Sequence, residues 1–162
     1  MLVKNIVDAI VMDVDGVLTD GTFLWGANGD EFKRFSFLDV MGISIGRKAG
    51  LVFGLISGED TPFAERFAKK MSIAELYTGC KEKGAALRLI SERQRIPLSN
   101  ICYIGDDVND LPAMELAGLS AAPSNAHPSV LDFAKLRLKN HGGNGAVREL
   151  IDYILANHRS RP

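Results

Sequence analysis

Three short, unbroken apolar runs mark the chain: Ile10-Val11-Met12, Leu51 to Ile56, and Ile101-Cys102-Tyr103-Ile104. Each is too short for a membrane span and stops at a polar or glycine residue. Such runs predict buried strands of a parallel sheet. Between and after them the apolar positions recur at helical spacing. Val40, Ile43, Ile45 and Ala49 predict a helix over Asp39–Ala49, ended by Gly50. Phe63, Phe67 and Met71 predict one over Pro62–Met71, with Thr61 or Asp60 as its cap. Ala86, Leu87 and Ile90 form the stripe of a third, which starts near Lys83. Further helices are expected over 111–117, from His127-Pro128 to Phe133, and over Ala146–Ala156. Shorter strands are expected at Leu76-Tyr77, at 119–122 and, as an edge, around Leu136 and Leu138. Strands alternating with helices predict an α/β, doubly wound, mostly parallel sheet covered on both faces.

One region breaks the alternation. Thr22 to Trp25 and Glu31 to Phe35 flank the turn Gly26-Ala27-Asn28-Gly29-Asp30. This predicts a β-hairpin flap over about residues 21–36. Its aromatics, Phe23, Trp25, Phe32 and Phe35, are too many for a lone ribbon in water and are expected to meet another subunit. The Asn140–Gly145 stretch reads as a flexible loop, and His158 to Pro162 as a fraying end.

Composition narrows the class without naming a function. With 162 residues, 46% of them hydrophobic and 24% charged, the chain suits a single globular domain over 1–162. A net charge of −1 gives no reason to expect nucleic acid or a membrane surface as partner. No membrane span or signal-peptide pattern stands out, so a cytoplasmic protein is expected. Cys80 and Cys102 lack metal-ligand spacing and read as reduced, half-buried thiols. His127 has no companion at ligand spacing and reads as a surface or capping residue.

The chemistry sits where the apolar runs stop. The first ends in Asp13-Val14-Asp15-Gly16, the second in Ser57-Gly58-Glu59, the third in Gly105-Asp106-Asp107-Val108-Asn109-Asp110. In a doubly wound sheet these ends meet at one edge, at the switch in strand order. Carboxylates crowd together only where a cation or proton separates them. A carboxylate nucleophile, a second carboxylate two residues on, a hydroxyl, a lysine and a distal acidic group form a phosphoryl-transfer set. Asp13 would attack phosphorus. Asp15 would protonate the leaving oxygen and later activate water. Mg²⁺ would be held by Asp13, the Asp15 backbone carbonyl and Asp106, with Asp107 and Asp110 behind them. Ser57, the Gly58 N–H and Lys83 would hold the phosphoryl oxygens.

These segments, in this order, resemble the four motifs of the haloacid dehalogenase (HAD) superfamily. More closely, the chain is similar to the 3-deoxy-D-manno-octulosonate 8-phosphate phosphatase group. The flap segment Asn28 to Phe35, the Asp39–Ile43 segment and the stretch His141 to Glu149 also resemble that group. The resemblance implies a Rossmann-like HAD fold and a Mg²⁺-dependent sugar-acid phosphatase. It also implies a homotetramer joined through its hairpins, with a tail from one subunit near a neighbour's site. Only one helix and one strand fit between Ser57 and Lys83, so no cap domain is expected. Leu38-Asp39-Val40-Met41-Gly42 stands where the group usually carries Arg-Asp-Gly-x-Gly, and Glu59 where it usually carries arginine. Glu59, with Lys70 in the next helix, looks more like relatives acting on nine-carbon sugar acid 9-phosphates. A Glu59–Lys70 pair would then contact the sugar. A non-catalytic module of the kind fused to some sialic-acid cytidylyltransferases is one alternative, opposed by the intact Asp13, Asp15, Lys83 and Asp106; a phosphotransferase or mutase is another, opposed by the lack of a cap to exclude water.

Overall fold

The computed structural model describes residues 6–158. The expected fraying of Arg159 to Pro162 lies outside them. Six parallel strands form the main sheet: β1 (Ala9–Met12), β4 (Val52–Ile56), β5 (Glu75–Tyr77), β6 (Ile101–Ile104), β7 (Leu119–Ala122) and β8 (Leu136–Arg137). A separate two-stranded ribbon pairs β2 (Leu24–Trp25) with β3 (Glu31–Phe32). The helices are α1 (Phe37–Lys48), α2 (Pro62–Met71), α3 (Lys83–Gln94), α4 (Leu111–Leu116), α5 (Pro128–Phe133) and α6 (Ala146–Asn157).

The sheet order is β5-β4-β1-β6-β7-β8. From β1 the chain builds outward through β4 and β5, then returns to the other side of β1 for β6, β7 and β8. The order therefore reverses between β1 and β6. Period-two alternation in β1 explains why both faces are covered. Ile10 and Met12 pack with Ile43, Phe67 and Ile151 from α1, α2 and α6. Ala9 and Val11 pack with Leu87, Met114 and Val130 from α3, α4 and α5. Between Ser57 and Lys83 the chain has room only for α2 and β5. Among the described residues there is no cap insertion, and no helix is long and apolar enough to cross a membrane.

Several expectations shift in detail. Helix α1 begins two residues before Asp39, because the Ser36 hydroxyl accepts the Leu38 N–H and starts it there. Thr61 holds the cap position of α2, but its side chain makes no capping bond. Phe35 is not part of the exposed ribbon. Its ring stacks on Phe67 of the same chain at 5.0 Å, whereas Phe23, Trp25 and Phe32 face outward.

The Asn140–Gly145 segment is pinned, contrary to the flexible loop expected. The Gly143 N–H donates to the Val17 carbonyl at 3.0 Å, and the Gly142 N–H to Asn125 Oδ1 at 2.7 Å. A Cβ on Gly142 would lie 1.9 Å from the Gly16 carbonyl oxygen. The glycines here serve a backbone-to-backbone approach that any side chain would block.

Candidate active site

Asp13 follows β1 directly, and its N–H donates to the Ile104 carbonyl of β6 at 3.0 Å. The chain then turns on itself. The Val14 carbonyl accepts N–H groups from Val17, Leu18 and Thr19, and the Thr19 hydroxyl accepts those of Gly16 and Gly21. Gly16 sits at φ +84°, and a Cβ there would fall 1.9 Å from Asp106 Oδ2. Glycine at this position lets the Asp106 carboxylate lie against the loop that carries Asp15.

The β6 end supplies the opposing wall. Asp110 is fully buried, and all its acceptor capacity is directed. Its Oδ2 takes the N–H groups of Asp106 and Asp107 at 2.9 and 3.2 Å. Its Oδ1 takes Lys83 Nζ at 2.8 Å and the Tyr103 hydroxyl at 2.7 Å. Lys83 is buried too, and its Nζ also lies 3.0 Å from Asp13 Oδ2. One ammonium therefore ties the β1 carboxylate to the β6 loop. Asp107 turns away, its Oδ1 accepting the Val108 N–H at 2.7 Å and capping the turn.

Oxygens of Asp13, Asp106 and Asp110 come within 4.8 Å of one another. Burial pushes the Asp13 carboxyl well above the usual carboxylate range, and the Asp110 charge adds to this against the opposing pull of Lys83. Burial and then Asp110 raise Asp106 to about 7. Burial works against the Lys83 ammonium, yet the flanking Asp13 and Asp110 charges hold its pKa above the usual value. Asp110 is spoken for, so the unmet negative charge rests on Asp13 and Asp106. A hard divalent cation with oxygen ligands fits that pair.

On the other flank, β4 ends at buried Ser57, whose hydroxyl accepts the Glu59 N–H at 3.2 Å. Asp15 accepts Lys33 Nζ at 2.8 Å on Oδ1. The opening in front of these groups has a volume of about 300 Å³ and is bordered by Asp13, Asp15, Gly58, Glu59, Lys83 and Asp106.

A family model for haloacid dehalogenase-like hydrolases matches residues 56–150. The chain belongs to the haloacid dehalogenase-like hydrolase family. Among its relatives is the 3-deoxy-D-manno-octulosonate 8-phosphate phosphatase KdsC of Escherichia coli strain K12. The two are 37% identical over 146 residues, covering 90% of this chain and 78% of the relative. The Haemophilus influenzae KdsC is 36% identical, covering 90% and 81%. A cobalt-bound structure of the Haemophilus influenzae phosphatase matches with a TM-score of 0.89 and 36% identity, over 94% of this chain and 89% of that one. The Moraxella catarrhalis enzyme, solved with magnesium, phosphate and KDO, matches with a TM-score of 0.89 and 33% identity, over 94% and 87%.

Within this HAD site the sequence reading places most residues where they meet, with two exceptions. Glu59 borders the opening, but no ion pair joins it to Lys70 among the described residues. Lys70 instead borders a second groove of about 430 Å³, beside the flap, where its ammonium lies 5.8 Å from the Phe37 ring centre. The glycine-rich stretch 141–145, expected to be flexible, instead buttresses the Asp15 loop of its own chain. Three polar residues near the site carry no signal in the sequence pattern: Tyr103, Lys33 and Lys81. Tyr103 was counted among the apolar residues of β6, and only its hydroxyl hinted at a buried acceptor. Lys81 and Asn109 border the opening, and Lys81 Nζ donates to the Gly58 carbonyl at 3.3 Å. His127 caps α5, its Nδ1 accepting the Ser129 N–H, in keeping with the capping role expected of it.

Proposed function

We propose that this chain is a Mg²⁺-dependent phosphatase that hydrolyses 3-deoxy-D-manno-octulosonate 8-phosphate through an aspartyl-phosphate on Asp13. The observation that carries the reading is the meeting of Asp13 and Asp106 beside a buried Lys83, at the switch point of the sheet. Asp13 attacks phosphorus while the bond to the sugar oxygen breaks, and Asp15 donates a proton to that oxygen. Water then attacks the acyl phosphate, Asp15 takes its proton, and the Asp13 carboxylate is restored. Lys83, Ser57 and the Gly58 N–H receive the phosphoryl oxygens as charge shifts onto them. Mg²⁺, when bound by Asp13, Asp106 and the Asp15 carbonyl, supplies the countercharge for the transferring phosphoryl group. Asp110 holds Lys83 and the Asp106 loop in place, and Asp107 caps the turn that presents them.

The relatives matched here carry the octulosonate name, and the Glu59–Lys70 pair that favoured a nine-carbon substrate does not form within the chain. We assign Glu59 to the sugar hydroxyls, where a carboxylate accepts hydrogen bonds. Lys70 faces another groove of its own chain, so a sugar contact from it requires a second copy. The protein is read as one cytoplasmic domain over 1–162 with a flap, assembled as a homotetramer through its exposed hairpins. The site lacks a cap of its own, and a neighbour's hairpin is the available cover against water.

The test is Mg²⁺-dependent phosphate release from 8- and 9-phosphates of sugar acids, with Asp13→Asn as control. The 8-phosphate should be preferred, and the variant should lose on the order of 10⁶-fold in kcat, as for other lost nucleophiles. Full activity in the variant would remove the mechanism. Preference for a 9-phosphate would move the substrate to the nine-carbon class.

A further inference from the structure

Asp15 must present one oxygen to the leaving group, yet its carboxylate stands on a rotatable bond at the rim of the site. Its Oδ1 is held by Lys33 at 2.8 Å, and no other side chain bonds it among the described residues. Lys33 reaches it from the flap. It follows β3 directly, and strand alternation turns it inward while Phe32 and Arg34 face out. The Lys33 side chain is 5% exposed, against 30% for that of Asp15. Its ammonium also lies 5.1 Å from the Phe63 ring centre in α2 and 3.9 Å from Glu31 Oε1. Glu31 is itself held, by the Trp25 indole N–H at 3.0 Å. A desolvated cation braced by Phe63 and Glu31 is a fixed point, whereas the carboxylate it holds faces the opening.

We infer that Lys33 is a positioning residue for the acid–base carboxylate. This rests on the phosphatase reading above. With Oδ1 accepting from Lys33, Oδ2 is left to carry the proton toward the leaving oxygen and to take one back from water. The flap thereby acts on the chemistry from within its own chain: its inner edge sets Asp15 while its outer face stays apolar. Lys33 itself touches neither phosphorus nor the leaving group.

Leaving-group dependence separates this role from simple structural support. An alkyl sugar phosphate needs a proton on its departing oxygen, whereas p-nitrophenolate leaves without one. The parameter kcat/KM reports only steps through phosphoryl transfer to Asp13. Lys33→Met should lower kcat/KM for the sugar-acid 8-phosphate by about 10–100-fold, part of the usual general-acid contribution. It should leave p-nitrophenyl phosphate within about threefold, and Lys33→Arg should recover part of the loss. If the Met variant melts early, Lys33→Leu, which also lacks an N–H donor, is read the same way. Equal losses on both esters, or no loss on either, would overturn the proposal while leaving the phosphatase standing. A wild-type protein inert toward both esters would overturn the phosphatase reading and this one together.

Discussion

The carboxylate cluster and the flap lie side by side and are built on opposite terms. At the cluster the charged groups are tied together within one chain, and the Asp106 carboxylate is the one left for a cation. Lys83 joins Asp13 to Asp110, Asp110 gathers two backbone N–H groups and the Tyr103 hydroxyl, and little of it meets water. The flap has two-residue strands and turns Phe23, Leu24, Trp25 and Phe32 outward, all more than half exposed. A ribbon that short is not stable alone. The cluster is built within one chain, whereas the flap's outer face leaves apolar side chains exposed. Chemistry and assembly are thus assigned to different pieces, and Lys33 is where they touch.

The comparison breaks hardest at Lys83. Lys83→Met removes the ammonium that lies between Asp13 and Asp110 and leaves two buried carboxylates facing each other. Loss of one donor to the transferring group typically costs about 10²–10³-fold in kcat. Removing one partner of a buried ion pair costs about 3–5 kcal/mol of stability. Both losses should appear together, in phosphate-release kinetics and in urea unfolding of the same variant. A variant with full stability would mean the cluster is not held together through this residue.

What was legible follows the same division. Asp13, Ser57, Lys83 and Asp106 could be read because each follows a strand end or starts a helix, and strand order alone brings such points together. Lys83 was expected at a helix start, where most lysines are solvated, and nothing local showed that it would be buried. Asp39 shows why the rest was hidden. Helix α6 is capped by Gly145, which has no side-chain oxygen to offer, and the acceptor comes from α1 instead. Asp39 Oδ1 accepts the Arg148 N–H at 3.0 Å across a separation of 109 positions. The glycines at 142 and 143 read as freedom but serve close approach, a distinction that exists only once Gly16 and Thr19 are in place. Lys33 was one charge in a polar–aromatic alternation, and its partner Asp15 lies 18 positions away.

A second prediction sharpens the electrostatic half. Burial and Asp110 hold Asp106 at about 7 and keep Asp13 above the usual range. A metal ligated by both must displace those protons. Mg²⁺ affinity should therefore rise with pH through about 7. It should fall by about tenfold for each proton and pH unit below. The sign for folding is the reverse. A carboxyl whose folded pKa exceeds its unfolded value binds its proton more tightly when folded. The metal-free protein should thus lose stability as pH rises from about 4 through the folded pKa values, and Mg²⁺ should restore it. Calorimetric titration at pH 6, 7 and 8, with denaturant midpoints in chelator, checks both. A flat affinity across that range would show that the carboxylates are not crowded.

The smallest expected effect tests whether the flap's outer face is separable from the chemistry. Leu24 is 71% exposed and pairs across the ribbon with Phe32. Leu24→Asp places a charge in the centre of the apolar face while leaving Trp25, Glu31 and Lys33 in place. Sedimentation should then report a species near the 17.6 kDa chain mass, where the proposed assembly predicts a larger species for the wild type. Mg²⁺ affinity should stay within about twofold to threefold, as for surface substitutions generally. Turnover of the sugar-acid phosphate should fall by about fivefold, the worth of one net hydrogen bond of about 1 kcal/mol. That loss would measure the neighbour's cover alone, since the cluster and its inner brace are untouched. A monomeric variant with undiminished sugar-acid turnover would show that the site needs no neighbour. A variant that stays assembled would show that the subunits join through some other face.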